Sequence, residues 1–172
     1  MEPLNGKEIS ARVTGMTSAK HQVHGYSVDL TVKRVYVVDP TGRVDFGGSE
    51  YIPAGRIEVA ALRRNPEDKY QWWDLGRGAY FMEFNESLDL AMDEMAVLEP
   101  DDRLLRAGAM HPALYLRGKA SPLEMLLDVN VTRLQMKQNA RVSRVRVFRM
   151  GGAKAGVPAA TKPAKSTGKS KK

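Results

Sequence analysis

The sequence predicts an all-β domain, either a barrel or a double-sheet jelly roll, preceded by a short helix. Apolar runs rich in β-branched residues recur along the chain and give about nine or ten short strands, with almost no long helical pattern. The 15 Gly and 9 Pro are spread along the length, as many turns require. At 172 residues the chain suits one domain, and residues 1–150 can bury a sizeable core.

The N-terminal helix is predicted from a capping box. Asn5 precedes Glu8 by three residues, the spacing at which the two side chains cap each other's backbone N–H groups. The helix should run roughly to Val13, because Gly15 and a polar stretch follow it.

The strands follow from alternation and from turn residues. Residues 28–38 and 80–84 have the composition of strands, and residues 88–98 suggest an irregular pair of strands. The segment 56–62 fits either a strand or a short helical turn. Residues 104–110 should begin as a helical turn that Gly108 ends.

The C-terminal half of the domain ends in three predicted strands, 123–129, 133–136 and 141–148. The last alternates almost perfectly. Val142, Val145 and Val147 form one side, and a strongly basic side carries Arg144 and Arg146.

The charge divides the chain into a nearly neutral body and a basic tail. Residues 151–172 hold six Lys and no acid, so subtracting six from the net charge of +7 leaves about +1 for residues 1–150. The tail composition predicts a disordered extension, and a nucleic-acid contact is expected only through this tail. The absence of Cys excludes disulfides, a thiol nucleophile and a Cys-ligated zinc. No apolar run reaches eighteen residues, so no membrane span is expected, and a cytoplasmic location is the simplest interpretation.

Three short patterns occur in a suggestive order: Ser-Val-Asp-Leu at 27–30, Leu-Leu-Arg-Ala-Gly at 104–108, and Arg141 in the last strand. Together with the strand order, they resemble the dUTPase and dCTP deaminase superfamily. The resemblance implies a dUTPase-like distorted jelly-roll β-barrel, a homotrimer, and a pyrimidine deoxynucleoside triphosphate as ligand. It also implies one of two reactions, deamination of dCTP to dUTP or hydrolysis of dUTP. The cofactor stays open, with Mg²⁺ bound to the triphosphate as one candidate.

The phosphate-binding pattern of that superfamily, Arg-Ser-Ser-Leu-x-Arg-x-Gly, is altered here. Leu104, Arg106 and Gly108 match, whereas 101–103 reads Asp-Asp-Arg. The two carboxylates would repel phosphate unless a metal bridged them. The resemblance assigns nucleotide binding to Arg103, Arg106, Gly108 and Arg141, although Arg103 and Arg106 could equally pair with Asp101 and Asp102 across a subunit contact.

The catalytic carboxylate of the dUTPases is missing, because residues 109–122 contain neither Asp nor Glu. Glu124 resembles the proton-shuttling Glu of the dCTP deaminases and is the candidate catalytic residue. The alternative for Glu124 is an outward-facing strand residue. His111 is a second candidate proton carrier or a loop residue. Asp29 is expected to be a turn or strand-end carboxylate that makes backbone hydrogen bonds rather than to act in catalysis.

Three functions remain open from the sequence. The first is the enzyme just described. The second is a catalytically degenerate nucleotide-binding or regulatory trimer, in which Arg103 and Arg106 neutralise Asp101 and Asp102. The third is a β-domain that binds nucleic acid through its basic last strand and tail, with Trp72 and Trp73 as stacking surfaces or as core and interface residues.

Overall fold

The computed structural model describes residues 1–39 and 41–151, which form an all-β fold with three short helices. The helices are α1 (Gly6–Ser10), α2 (Ala19–Gln22) and α3 (Asp102–Arg106). The long strands are β4 (Ser27–Val38), β6 (Trp72–Phe84), β8 (Glu94–Pro100), β12 (Glu124–Lys137) and β13 (Arg141–Arg149). The short strands are β1 (Glu2–Pro3), β2 (Val13–Thr14), β3 (Val23–His24), β5 (Arg56–Glu58), β7 (Ser87–Asp89), β9 (Ala109–Met110), β10 (Leu114–Leu116) and β11 (Lys119–Ala120).

One curled antiparallel sheet carries most of the fold. Its strand order is β10-β8-β13-β4-β6-β12-β9, with β1 added to β13 and with β3 and β5 added to β4. A second sheet of three strands has the order β11-β7-β2. The predicted fold class, an all-β barrel with a short N-terminal helix, is confirmed.

The longest strand pair corrects one prediction. The segments 123–129 and 133–136, expected as two strands, belong to the single strand β12, which pairs with β6 on both sides of an irregularity between Val129 and Arg133. The irregularity changes the phase of alternation, so that Val129 and Leu134, five residues apart, are both buried. That change of phase explains why the sequence suggested a break.

The capping box is present, since the Asn5 side chain accepts from Glu8 N at 3.0 Å and Glu8 Oε2 accepts from Asn5 N at 2.9 Å. The predicted length of α1 is wrong, because α1 ends at Ser10 rather than near Val13. Val13 instead pairs with Leu88 in the small sheet, where its side chain is buried. Burial in tertiary structure therefore overrides the local helical preference.

The helical turn predicted before Gly108 is α3. Gly108 follows it with a φ of +85°, and its N–H donates to Leu105 O at 3.0 Å. A Cβ atom at this position would lie 2.1 Å from Val131 Cγ1, so the Val131 side chain of β12 occupies the space that a larger residue would need.

No helix among the described residues is long and apolar enough to cross a membrane. The predicted basic tail, residues 151–172, and its nucleic-acid contact lie outside the described part of the chain, apart from Gly151.

Gly108→Ala should destabilise the fold by about 3 kcal/mol or more, because it combines a strained left-handed backbone with a clash against Val131. Gly118→Ala is the matched control, since Gly118 has a φ of +65° but open space around it. In Gly118→Ala the free energy of unfolding, measured with urea, should fall by only about 1–2 kcal/mol. Equal losses of unfolding free energy in Gly108→Ala and Gly118→Ala would show that the clash with Val131 does not add to the destabilisation.

Candidate functional site

A cleft beside α3 has a volume of about 580 Å³, within the range of small-molecule sites. Four parts of the chain form it: α3, the end of β12 with its turn into β13, the start of β6 with Tyr70 just before it, and the segment before α2 that contains Thr17 and Ser18. Asn139 holds the turn, with a φ of +61° and an N–H that donates to Val32 O at 3.0 Å. Asn85 Nδ2 donates to the Asn139 side-chain oxygen at 2.9 Å, so β6 and β4 fix the position of the cleft wall.

Three cationic side chains meet at this cleft. Arg103 comes from α3, Lys137 from the end of β12, and Arg141 from the start of β13. No Asp or Glu is among the described residues that line it. The arrangement can therefore bind an anion such as a phosphate group, and two of the three cations, Arg103 and Arg141, are residues that the sequence predicted for nucleotide binding.

Two aromatic residues, Tyr70 and Trp72, line the same cleft. Strand alternation separates the two adjacent tryptophans. Trp73 is only 3% exposed and donates its indole N–H to Val59 O at 3.0 Å, while Trp72 faces the cleft. The sequence had left Trp72 and Trp73 undecided between stacking surfaces and core. The period of two in β6 could have assigned one role to each.

The other predicted nucleotide-binding residues lie outside the cleft lining. The Arg106 side chain is 81% exposed and pairs with Asp102 at 3.0 Å, one helical turn away. Gly108 uses its N–H to end α3, so this N–H is not available to a phosphate. In one copy of the chain, the structure thus brings together Arg103 and Arg141 but not Arg106 or Gly108.

Glu124, the predicted catalytic residue, lies at the far end of β12 from the cleft. Ten residues of extended strand separate Glu124 from Leu134 in the cleft lining, roughly 33 Å along the strand. Glu124 forms an ion pair with Arg56, and Arg56 also stacks 4.3 Å above the Phe81 ring. Within one copy of the chain, Glu124 does not meet Arg103 or Arg141.

Asp29 is the centre of a buried ion-pair network beside the cleft. Its carboxylate, in a residue that is 3% exposed, accepts from Arg141 and Arg144 at 3.3 Å each and contacts His24 Nε2 at 2.9 Å. The sequence predicted that the Asp29 carboxylate accepts backbone hydrogen bonds at a strand end. Its partners are instead side chains: His24 nearby, and Arg141 and Arg144 distant in sequence.

Asp101 joins this network to α3. Its Oδ1 accepts from Arg103 N at 2.9 Å and caps the helix, while its Oδ2 accepts from Arg144 at 2.8 Å. Asp102 pairs with Arg106 within α3 rather than across a subunit contact, whereas the Asp101 carboxylate pairs with the Arg144 guanidinium. Arg144, placed between two buried carboxylates, orients Asp101 so that it caps the helix that carries Arg103.

The basic side of β13 is compensated by carboxylates of neighbouring strands. Arg146 pairs with Glu99 on β8, and Arg149 lies 3.9 Å from Asp93. These arginines are half-buried rather than fully exposed. The predicted basic face is therefore a set of ion pairs within the fold, which weakens the nucleic-acid hypothesis for this strand.

His111 is buried and does not line the cleft. Its Nε2 lies 2.7 Å from Ser143 Oγ and its Nδ1 lies 2.8 Å from Pro112 O. Burial lowers the pKa of His111, and the hydrogen bond to Pro112 offsets only part of this effect. His111 is thus a neutral core residue that joins the β9–β10 connection to β13.

No protein-family model matches the chain. A probable deoxyuridine 5′-triphosphate nucleotidohydrolase of Methanosarcina barkeri is 29% identical over 133 residues, covering 76% of this chain and 74% of the relative. A probable deoxyuridine 5′-triphosphate nucleotidohydrolase of Archaeoglobus fulgidus is 28% identical over 158 residues, covering 87% of this chain and 89% of the relative.

The crystal structure of 2′-deoxycytidine 5′-triphosphate deaminase from Agrobacterium tumefaciens has a similar fold, with a TM-score of 0.64 at 17% identity. The match covers 87% of this chain but spans only 48% of that deaminase chain. The two relatives and the shared fold support the resemblance to the superfamily that contains the dUTPases and dCTP deaminases.

Replacing Arg144 with Met should cost about 3–5 kcal/mol of folding free energy, because it leaves the buried carboxylates of Asp29 and Asp101 without their shared partner. The control is Arg106→Met, which breaks an exposed pair and should leave urea unfolding nearly unchanged. If Arg144→Met is as stable as Arg106→Met, the ion-pair network has no structural role.

His111 should titrate below its ordinary pKa of about 6.5 when its ring C–H signals are followed by NMR. As the pH falls, His111 is protonated at a higher pH in the unfolded chain than in the folded protein. This residue therefore lowers the free energy of unfolding as the pH falls below about 6.5. The signals are assigned with His111→Gln. A midpoint at or above 6.5 would contradict the neutral, buried role.

Proposed function

We propose that this chain acts in pyrimidine deoxynucleotide metabolism and binds a pyrimidine deoxynucleoside triphosphate in the cleft beside α3. The observation that carries the proposal is the convergence of Arg103, Lys137 and Arg141 on one cleft without a carboxylate in its lining. The named relatives, a dUTP-hydrolysing class and a dCTP deaminase, point to the same class of ligand.

The electrostatics of the cleft suit a triphosphate. Guanidinium groups bind phosphate oxygens in pairs, and a Lys ammonium adds a mobile point charge. Asp101 does not repel the phosphates from inside the cleft, because its carboxylate is held by Arg144 and by the N-terminus of α3. Asp102 is likewise paired with Arg106 on the outer side of the helix. The substitution of the superfamily's two serines by Asp is thus compatible with phosphate binding.

For turnover, we propose a dCTP deaminase-like or dUTP diphosphatase-like reaction with Glu124 as the acid–base residue. Glu124 lies far from the cleft of its own chain, so this role requires the Glu124 of a second copy to approach the cleft. A homotrimer, as the superfamily resemblance implies, provides such a second copy. We further propose a cytoplasmic location, which accords with the absence of cysteine.

The residues that line the cleft do not fit a protein-held metal. They offer amides, hydroxyls and cations but no carboxylate, and no group of three or more His, Asp or Glu side chains in the described chain could hold a metal ion. Mg²⁺ would therefore be bound by the triphosphate oxygens rather than by the protein.

A second candidate is nucleotide binding without turnover. Two observations favour it: the cleft of one chain contains no acid–base carboxylate, and Glu124 is paired with Arg56. This alternative shares the phosphate site with the enzyme hypothesis and differs only in the chemistry.

Incubation with dCTP and dUTP, followed by chromatography, tests the proposal. Turnover of either nucleotide should be lost in Glu124→Gln but retained in Asp128→Asn, a matched change at an exposed carboxylate on the same strand. Arg56→Met separates the roles of Glu124, because it breaks the ion pair and keeps the carboxylate. Activity in Arg56→Met but not in Glu124→Gln supports proton transfer by Glu124.

Arg103→Met and Arg141→Met should each weaken nucleotide binding by roughly tenfold or more, as expected for the loss of one charge-assisted contact. Binding is measured calorimetrically. If the protein binds a nucleotide but does not convert it, the result supports nucleotide binding without turnover. If the folded protein binds neither nucleotide, both candidate functions are wrong.

A further inference from the structure

The two aromatic rings of the cleft lie among cationic side chains. The Arg64 guanidinium lies 3.7 Å from the Trp72 ring centroid and donates to Gln135 at 2.6 Å, so it covers one side of the indole in a fixed position. The Lys137 ammonium lies 5.5 Å from the Trp72 ring and 5.2 Å from the Tyr70 ring. Lys137 therefore reaches both rings from inside the cleft.

Packing of the core does not by itself require Tyr70 and Trp72 to lie at the wall of the cleft. Trp73 already fills the core, whereas Trp72 and Tyr70 are half-buried at the wall of a cleft large enough for a nucleotide. An ammonium on a flexible stem is the weakest of the groups that contact these rings, and a planar base stacks on an aromatic ring more strongly than an exposed ammonium does. A base can thus replace Lys137 at the rings, while Arg64, which is not among the residues that line the cleft, stays in contact with Trp72.

We propose that Tyr70 and Trp72 form the base-binding half of the cleft and stack on the pyrimidine ring of the bound nucleotide. This inference rests on the proposed function, because it places the base at one part of a site whose phosphate-binding cations are Arg103 and Arg141. Lys137, displaced from the rings by the base, remains within the same cleft and adds its charge to the phosphate-binding part.

Stacking also defines the class of substrate. Every pyrimidine has a π-face, so the rings accept cytosine and uracil alike. Gln135, Gln138 and Asn139 also line the cleft, and their side-chain amides offer N–H donors to the edge of a base. The side-chain oxygens of Gln135 and Asn139 already accept from Arg64 and Asn85, so Gln138 is the one of the three amides whose oxygen remains as an acceptor. The cleft should therefore bind deoxycytidine and deoxyuridine nucleotides with similar affinity.

Tryptophan fluorescence can test this directly, because the chain has only two Trp residues. In Trp73→Phe the remaining signal comes from Trp72. Deoxyuridine and deoxycytidine, which carry no phosphate, should quench it, whereas tripolyphosphate should bind without this quenching. If Trp73→Phe fails to fold, the unaltered chain labelled with 5-fluorotryptophan gives two NMR signals, and the Trp72 signal is the one that should shift.

The matched variants are Trp72→Phe, which keeps a stacking ring, and Trp72→Leu, which removes it. Trp72→Leu should weaken nucleoside binding about tenfold, as typical for one stacked base, and leave tripolyphosphate affinity unchanged. Trp72→Phe should bind nearly as the unaltered chain does. Lys137→Met should keep nucleoside binding and weaken dUTP binding.

Three results would overturn the inference in distinguishable ways. If Trp72 variants bind tripolyphosphate and dUTP with the affinity of the unaltered chain, the phosphate site is supported but Trp72 has no stacking role. Failure of every probe to bind would remove the proposed function as well. Tight binding of oligodeoxythymidylate without any response to nucleosides would identify the rings as a surface for single-stranded nucleic acid.

Discussion

The ion-pair network of Asp29, Arg144 and Asp101 is the constraint on which the candidate site depends. It joins β4, β13 and the N-terminus of α3, three parts of the chain that meet only in the folded state. Two buried carboxylates sharing one guanidinium are costly to desolvate and become unfavourable if the guanidinium is removed. The network therefore contributes less to net stability than to geometry. It fixes α3 against the strand that supplies Arg141, and so sets the distance across the cleft.

The same network explains how a chain without the superfamily's serine pair can still present a phosphate-binding surface. The negative charge introduced at Asp101 and Asp102 is directed away from the cleft, to Arg144 and to Arg106. Arg103, which follows the two acids, is left to line the cleft. The altered motif thus keeps a net positive lining although its composition suggests repulsion. The arrangement of charges, rather than their number, decides which anions such a surface can accept.

Local patterns predicted the local structures well. The capping box at Asn5 and Glu8, the helical turn that ends at Gly108, and the alternating last strand are each determined by neighbours within a few residues. Long-range pairing could not be predicted in this way. Nothing near Arg144 or Arg146 in sequence indicates that carboxylates 43 to 115 residues away neutralise them. For the same reason the sequence grouped Glu124 with Arg103 and Arg141, although Glu124 begins β12 and Arg141 follows the turn at the other end of that strand.

The most direct test of the account is to map where a pyrimidine deoxynucleotide binds. Backbone amide signals of the labelled protein would be followed by NMR during titration with the non-hydrolysable α,β-imido analogue of dUTP. The account predicts shifts at residues 134–142, in α3 and at Tyr70 and Trp72, all of which form one cleft. Shifts confined to the Glu124 end of β12 and its neighbours on β6, with none in α3, would contradict it.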